Sequence, residues 1–532
     1  MFATMSVIYI SDPSSVATRY LPDPATEESL REWIDDVADA GIDLFIQEAY
    51  TQGWTTYWRT DGFDYDARPQ HRRFLPLLDS GRQPLGILAD QCRTRGVRFG
   101  AGIRMNDNHG AVSTAQGVGA GAGFIVDNPH LQLQEAPPGV LYAESTPLDF
   151  THEEVRAFLL SAITRLVDTI DVGGIEICYR DHRYFPPGTG RDRADRMTEL
   201  VAAIRSMLDA AGERRGTAER LFLGAHVFAT IDECADLGLD APAWAQDGLV
   251  DYLSPADCMY AEYNLPYDEW AAVTADTACR LYPSIMPWTG IIARRRSAQQ
   301  PADQDQQRAL AHTMYAQGAD GVSLYNHFEI MHGGGGAHAP FYPLALHDAR
   351  HVRSDGSALA GRRHYVFDAT WGGFSGFGDD RTSTGAVKVQ RAVIARPAGV
   401  AEYTFRLYED FDGVAVAQLL FRAYHMTLGD DLAITLNGKP VPARGLKRRD
   451  DEVRTDLRPD DTEYDFARGA MTRETRPCVT YWFPLTAELC VRGENRLGFT
   501  LTTSDPEATD SIVVEEVEVF VVPATEHELP AD

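Results

Sequence analysis

The chain has 532 residues, 44% hydrophobic and 24% charged, with a formal net charge of −29. That length exceeds one ordinary core, so two globular domains are expected. The acid excess repels phosphate backbones and anionic lipid, which argues against nucleic-acid and membrane partners; it suits a neutral or cationic ligand, with simple solubility as the alternative and weightier reason for it.

The N-terminal MFATMSVIYISD has no basic run before an apolar segment, and no stretch approaches the roughly 20 apolar residues that span a bilayer. Cys92, Cys178, Cys234, Cys258, Cys279, Cys478 and Cys490 are an odd, widely spaced set without a CxxC pair, so neither a disulfide framework nor a zinc site is expected, and a reducing cytoplasm fits. Lysine occurs only at Lys388, Lys439 and Lys447. The first two thirds of the chain therefore cannot run Schiff-base or pyridoxal chemistry through their own lysines.

Eight short β-rich runs stand before residue 330: VIYISD ending at Asp12, DLFIQEAY (43–50), VRFGAGIRM (97–105), GGIEICYRD (173–181), LFLGAHVF (221–228), LVDYLSPAD (249–257), CRLYPSI (279–285) and GVSLYNHF (321–328). Between them lie helical patterns. Leu30, Trp33, Ile34, Val37 and Ala38 form one apolar stripe that stops at Gly41, and Val155, Phe158, Leu159, Ile163, Leu166 and Ile170 form another. Strict strand-helix alternation with a count of eight predicts a (β/α)8 barrel over residues 1–350.

The insertion from about Asn106 to Leu148 has little helical or strand period and reads as a mobile loop over the barrel mouth. Its QGVGAGAGF run (116–124) has Ala122 at the third glycine position and no βαβ context, so no dinucleotide cofactor is expected. The glycine run at 333–336 reads as a second lid segment. From about residue 365 to 525, alternating strands and turns, with an Asn437-Gly438 hairpin signal, predict an antiparallel sandwich of the jelly-roll type. It could bind carbohydrate, brace the barrel or form a homo-oligomer interface.

In GGIEICYRD, side-chain alternation puts Glu176, Cys178 and Arg180 on one face and Ile175, Ile177 and Tyr179 on the other. In a parallel barrel the apolar face packs under helices, so Glu176 points to the axis. These motifs, together with RMND at 104–107, the Tyr184-Phe185-Pro186 turn, LGLDAPAWAQDGLVDYL (237–253), NLPYDEW (264–270) and LYNHF (324–328), make the chain resemble the bacterial glycosyl-hydrolase-like barrels of the "family 10 glycosylhydrolase" group, whose members often carry a C-terminal β-sandwich. The resemblance implies a sugar-processing barrel. Relatives tend to carry a second acid two residues after the glutamate, where this chain has Cys178, so the resemblance transfers no catalytic pair.

Glycoside hydrolysis uses two carboxyls across the scissile bond. Glu176 is the first candidate, against the alternative of a structural acid paired with Arg104 or Arg180. Glu48 and Asp257, at the ends of their strands, are candidates for the second, with Asp12, Asp107, Asp181, Glu262 and Glu329 behind them. Arg104, Asn106, Asp107, Arg180, Asp181, His226, Asn326 and His327 could supply fixed donors and acceptors to sugar hydroxyls. Trp54, Tyr57, Trp58 and Trp288 could offer rings to a sugar face. No metal-ligand spacing is present among His109, Asp181, His182, His332 and His338, and Cys178 reads as a buried, inert thiol. The expected function is glycoside hydrolysis on a small saccharide or glycoside; the alternatives are a sugar lyase, isomerase or epimerase, or a non-catalytic carbohydrate-binding protein.

Overall fold

The computed structural model describes residues 5–19, 21–50, 54–66, 68–107, 123–133, 147–179, 183–217, 219–256, 261–287, 302–325, 349–354, 360–367, 390–411, 414–455 and 474–524. Nine parallel strand segments form one sheet: β1 (Val7–Ser11), β2 (Leu44–Tyr50), β3 (Arg98–Arg104), β4 (Gly174–Cys178), β5 (Phe222–Phe228), β6 (Tyr252–Ala256), β7 (Arg280–Leu281), β8 (Ser284–Ile285) and β9 (Val322–Tyr325). Their spatial order is β7-β6-β5-β4-β3-β2-β1-β9-β8. The two ends of that order, β7 and β8, are halves of one run broken at Pro283. The first half pairs with β6 and the second with β9, so the ring closes through a split seventh position. All eight predicted runs thus become barrel strands.

The outer layer follows from the apolar stripes. Thr26 caps the helix Glu27–Asp39 in a reciprocal bond with Ser29, and Leu30, Trp33, Ile34 and Val37 face inward. Trp33 meets Tyr9 of β1 and Phe45 of β2 edge-on, with ring centroids 6.4 Å apart in both cases. Burying each such side chain contributes about 1.5–3 kcal/mol. Ile175, Ile177 and Tyr179 join the same core from β4.

The lumen has a separate apolar floor. Ile8, Ile10, Leu44, Ile46 and Phe222 pack together on the axis. Phe222 fills the room left by two glycines: a Cβ on Gly100 would stand 2.5 Å from its ring and one on Gly174 2.3 Å. Beneath it lies a cavity of about 280 Å³, lined by Phe99, Val172, Leu221 and Phe222 and rimmed by Arg93, Asp171 and Glu219. Where the split strand closes the ring, Ser254 of β6 lies 3.1 Å from Ser284 of β8 and 2.9 Å from Ser323 of β9, and Ser284 also bonds Ser323.

The insertion after β3 departs from its expected irregularity. Residues Gly123–Asp127 form a short helix whose Phe124 stacks on Phe158 at 3.8 Å, so aromatic packing fixes this part against the barrel. The 108–122 and 134–146 portions and the 333–336 glycine run lie outside the described residues.

The C-terminal part is two antiparallel sheets. One has the order β10 (Arg363–Phe367), β19 (Ile512–Pro523), β13 (Val414–Tyr424), β17 (Glu474–Pro484), β16 (Lys447–Thr455), with β11 (Ala392–Ile394) also on β19. The other runs β12 (Val400–Leu407), β18 (Gly493–Thr503), β14 (Asp431–Leu436), β15 (Lys439–Pro440). Asn437 and Gly438 join the last two with positive φ values of 53° and 75°, as a type I′ hairpin requires. Phe421 of one sheet meets Phe499 of the other at 5.0 Å. Against the barrel, Tyr263 packs on Tyr365 and Phe367; within the C-terminal part itself, Arg363 makes two bonds to the buried Glu409 at 2.6 and 2.8 Å.

Candidate active site

Above the floor the lumen turns polar, and the row that begins this layer is set by strand register. Glu48 of β2 stands beside Gly102 of β3, which stands beside Glu176 of β4, Gly224 of β5 and Tyr252 of β6. Large and absent side chains alternate, so each large one can lie across its glycine neighbour. A Cβ on Gly224 would fall 2.0 Å from Cζ of Tyr252, and one on Gly102 would fall 3.0 Å from Cγ of Glu48. Through the first gap the Tyr252 hydroxyl donates to Oε2 of Glu176 at 2.7 Å.

The two glutamates, each 1% exposed, have opposite surroundings. Around Glu176 there is no arginine bond among the described residues, and its Oε1 has no hydrogen-bond partner among them. Burial pushes its pKa up to about 8, Tyr252 pulls against this, and the charge of Glu48 pushes the same way as burial. Glu176 is therefore protonated at neutral pH. Burial and the neighbouring Glu176 hold the Tyr252 hydroxyl well above its usual pKa, so it stays a donor.

Glu48 lies within a cluster of acids around Arg104, which comes from the end of β3. Arg104 Nε donates to Glu48 Oε1 at 2.8 Å, Nη2 meets Glu48 Oε2 at 2.8 Å and Asp12 Oδ2 at 2.9 Å, and Nη1 donates to Asp107 Oδ2 at 2.8 Å. Burial disfavours the guanidinium charge, but Glu48, then Tyr325, Asp12 and Asp107, hold its pKa well above the usual arginine value. The Tyr325 hydroxyl, at the end of β9, donates to Glu48 Oε1 at 2.8 Å and accepts from the Cys178 thiol at 3.7 Å. Such charge-assisted bonds favour the ionised form of Glu48.

Asp12 connects this cluster to a second one. Its Oδ1 accepts from the Ser14 amide at 2.7 Å, and Ser14 Oγ lies 3.0 Å from Nε2 of His71, 3.1 Å from Arg68 and 3.2 Å from the Tyr57 hydroxyl. Burial pushes the His71 pKa down to about 3, so the ring is neutral.

Of the expected site residues, the structure thus brings Glu176, Glu48, Arg104 and Asp107 together, and His226 joins them from β5 with its ring 4.7 Å from Tyr325. Asn106 instead clamps backbone: its side chain donates to the carbonyls of Leu148 and Arg183 and accepts from the Leu148 amide, tying the insertion's return to the barrel. Trp54 and Trp58 do not line a sugar platform. Both are buried in the main core, at 1% and 0% exposure, and Trp54 packs among Tyr50, Phe124, Phe150 and Phe158. Tyr57 is likewise buried, with its hydroxyl committed to Arg68 and Ser14. Glu262 turns onto its own loop, accepting from the Asn264 amide. Arg180, Asp181, Asp257, Trp288, Asn326, His327 and Glu329 lie outside the described residues, as do His109, His182, His332 and His338.

Sequence reasoning missed Tyr252 and Tyr325. The signal for Tyr252 was the in-phase glycine of LGAHVF, which leaves a hole that only a neighbouring strand's long side chain can fill. Among the described residues, no group of three His, Cys, Asp or Glu is arranged to hold a metal. The three acids that converge do so on a guanidinium.

Fold and lumen together define a (β/α)8 barrel with acids beyond its floor, followed by an antiparallel sandwich. No protein-family model matches the chain, and no curated protein sequence does. Among solved structures it is similar to a Paenibacillus sp. cycloisomaltooligosaccharide glucanotransferase complexed with cycloisomaltoheptaose: 12% identity, 97% of this chain against 58% of that one, TM-score 0.37. It is also similar to the PgaB (BpsB) glycoside hydrolase domain of Bordetella bronchiseptica, at 14% identity over 67% of this chain and 100% of that one, TM-score 0.42. A third is the Geobacillus thermoleovorans alpha-amylase complexed with acarbose, at 12% identity over 94% of this chain and 99% of that one, TM-score 0.35. At such identities and scores the likeness assigns the chain to no family and carries no activity to it. Among the described residues no helix is long and apolar enough to cross a membrane.

Proposed function

We propose that this chain is a glycoside hydrolase of the sugar-processing barrel type that its motifs resemble, acting on a small saccharide or glycoside. Glu176 is the general acid and Glu48 its partner carboxylate; Arg104, Asp107 and His226 shape the polar lumen, and Asp257, at the end of the sixth predicted strand, stands as the alternative partner. One observation carries this reading: two buried carboxyls in a single row with opposite surroundings, Glu176 bonded to Tyr252 with its pKa pushed up to about 8 by burial, and Glu48 bonded to Arg104 and Tyr325. Carboxyls whose surroundings drive their protonation apart are what acid-assisted cleavage of an acetal requires.

The test is nitrophenol release from a panel of p-nitrophenyl α- and β-glycosides of glucose, galactose, mannose, xylose, fucose and N-acetylglucosamine. Glu176→Gln should lower kcat/KM by about 10²–10⁴, the usual contribution of a positioned general acid. Unchanged turnover in a folded variant would remove Glu176 from the chemistry. The Tyr252–Glu176 pair also favours a second reading, proton transfer on a free sugar, as in an isomerase or epimerase. Proton NMR of free hexoses incubated with the protein distinguishes the two, because only the second rearranges a sugar without cleaving a glycoside.

A further inference from the structure

We propose that the saccharide this barrel takes is an oligosaccharide, and that its units remote from the lumen lie in a second cavity on the barrel rim, held by Arg191, Asp192 and Asp236; this rests on the sugar-processing reading above. The cavity measures about 530 Å³, and Phe185, Pro186 and Pro187 line it together with those three residues. That size falls in the range of ~300–1,000 Å³ typical of small-molecule sites.

Its place in the fold ties it to the lumen. One wall, from Arg183 to Asp192, belongs to the connection that leaves β4, the strand of Glu176, for the helix Ala194–Arg215. The other, Asp236 and Leu237, ends the helix Ile231–Asp236 that follows β5. Both connections leave the C-terminal ends of their strands, where a parallel barrel receives its ligands. At its inner end the Arg183 carbonyl accepts from the side chain of Asn106, which stands two residues beyond Arg104.

The cavity is preformed. Gly238 has φ +83°, and a Cβ there would fall 2.5 Å from Cε2 of Phe185; one on Gly190 would fall 2.1 Å from the Asp236 carbonyl oxygen. The two connections therefore meet backbone to backbone with the Phe185 ring wedged between them. A site whose walls already touch costs a ligand little ordering.

The lining selects a neutral, hydroxyl-rich ligand. Arg183 and Arg191 balance Asp192 and Asp236, so neither an anion nor a cation is favoured over the other. Arg191 donates from Nε to Asp236 Oδ1 and from Nη2 to Asp232 Oδ1, at 3.2 Å in the second case, which fixes the guanidinium plane. Its Nη1 has no hydrogen bond among the described residues, and its side chain is 54% exposed. Asp236 Oδ2 is likewise unbonded among them. A fixed donor beside an open acceptor suits a pair of neighbouring sugar hydroxyls, while Pro186 and Pro187 offer apolar surface to the C–H groups of the ring.

The experiment is calorimetric titration of the full chain with cello-, malto-, xylo- and chito-oligosaccharides of increasing length, from the monomer up. For one series affinity should rise with length and then level off. Arg191→Ala should weaken its longer members by about ten- to hundredfold, the loss of a charged donor to a hydroxyl, and leave the monomer unchanged. This exposed ion pair contributes little to stability, so the variant should melt with the parent, and Asp192→Ala repeats the test from another side chain. Equal affinity at every length, an equal loss at every length, an unaltered series in both variants, or no binding at all overturns the proposal. Cleavage of the p-nitrophenyl panel alongside any of those four results keeps the hydrolase reading. Length-dependent binding that both variants weaken, without cleavage, sinks the hydrolase reading and keeps the cavity as a saccharide site.

Discussion

Replacing Glu176 by glutamine keeps its shape and its acceptor for the Tyr252 hydroxyl while removing the titratable proton, which turns burial into a measurable pH dependence. The carboxyl titrates near 8 in the folded chain against an ordinary value of 4.5. Below about pH 4.5 folded and unfolded chains both carry the proton, and the stability tied to it is fully present. As the pH rises toward 8 the unfolded chain releases the proton while the folded one keeps it. Stability is lost over that window at about 1.4 kcal/mol per pH unit, to a ceiling of about 5 kcal/mol. The glutamine variant has no such slope at this position. Urea unfolding followed by circular dichroism at about pH 5 and about pH 9 should show two chains of similar stability at the lower pH and a variant more stable by several kcal/mol at the higher. Parallel stability profiles would mean that Glu176 does not hold its proton against solvent, and the acid assignment would go with it.

Gly224→Ala should cost about 2–5 kcal/mol in denaturant unfolding: the new Cβ would fall 2.0 Å from Cζ of Tyr252 and 2.4 Å from its hydroxyl oxygen, adding overpacking to the loss of the donor to Glu176. A variant as stable as the parent would contradict the packing of Tyr252 across β5. Arg104→Met removes a cation shared by three buried acids and should destabilise by about 3–5 kcal/mol near pH 7, with partial recovery near pH 5 as the acids protonate. Thermal melts at the two pH values check this, and an equal loss at both would show that the cost is one of packing rather than charge.

Much of the barrel was legible because period and count are local properties. The alternation in GGIEICYRD placed Glu176 and Cys178 on the axis, and the stripe from Leu30 to Val37 marked a covering helix. Partnerships were not legible where they depend on which strands become neighbours. Tyr252 looks like any strand aromatic until Gly224 is known to lie beside it, and Arg104 could be paired on paper with Glu176 although its register delivers it to Glu48. Trp54 and Trp58 illustrate a different ambiguity: an aromatic after a strand reads alike whether it faces a cleft or packs under a loop, and for Trp54 it is Phe124 and Phe158 that supply the packing. In the sandwich, KRRDDEVRT of β16 lacks the apolar alternation by which a strand is read from sequence. It forms the outer edge of its sheet, where charge discourages pairing with another chain.

The broken seventh strand gives the ring two walls of unequal stiffness. Glu48, Arg104 and Glu176 are carried by β2, β3 and β4, which form a continuous ladder with their neighbours, whereas the far side is joined through two segments of two residues each and a knot of serine hydroxyls. Local opening costs least where backbone bonds are fewest, and the two short pairings at that joint leave the ring the least to break there. An opening confined to that joint would leave β2, β3 and β4, and with them Glu48, Arg104 and Glu176, in register.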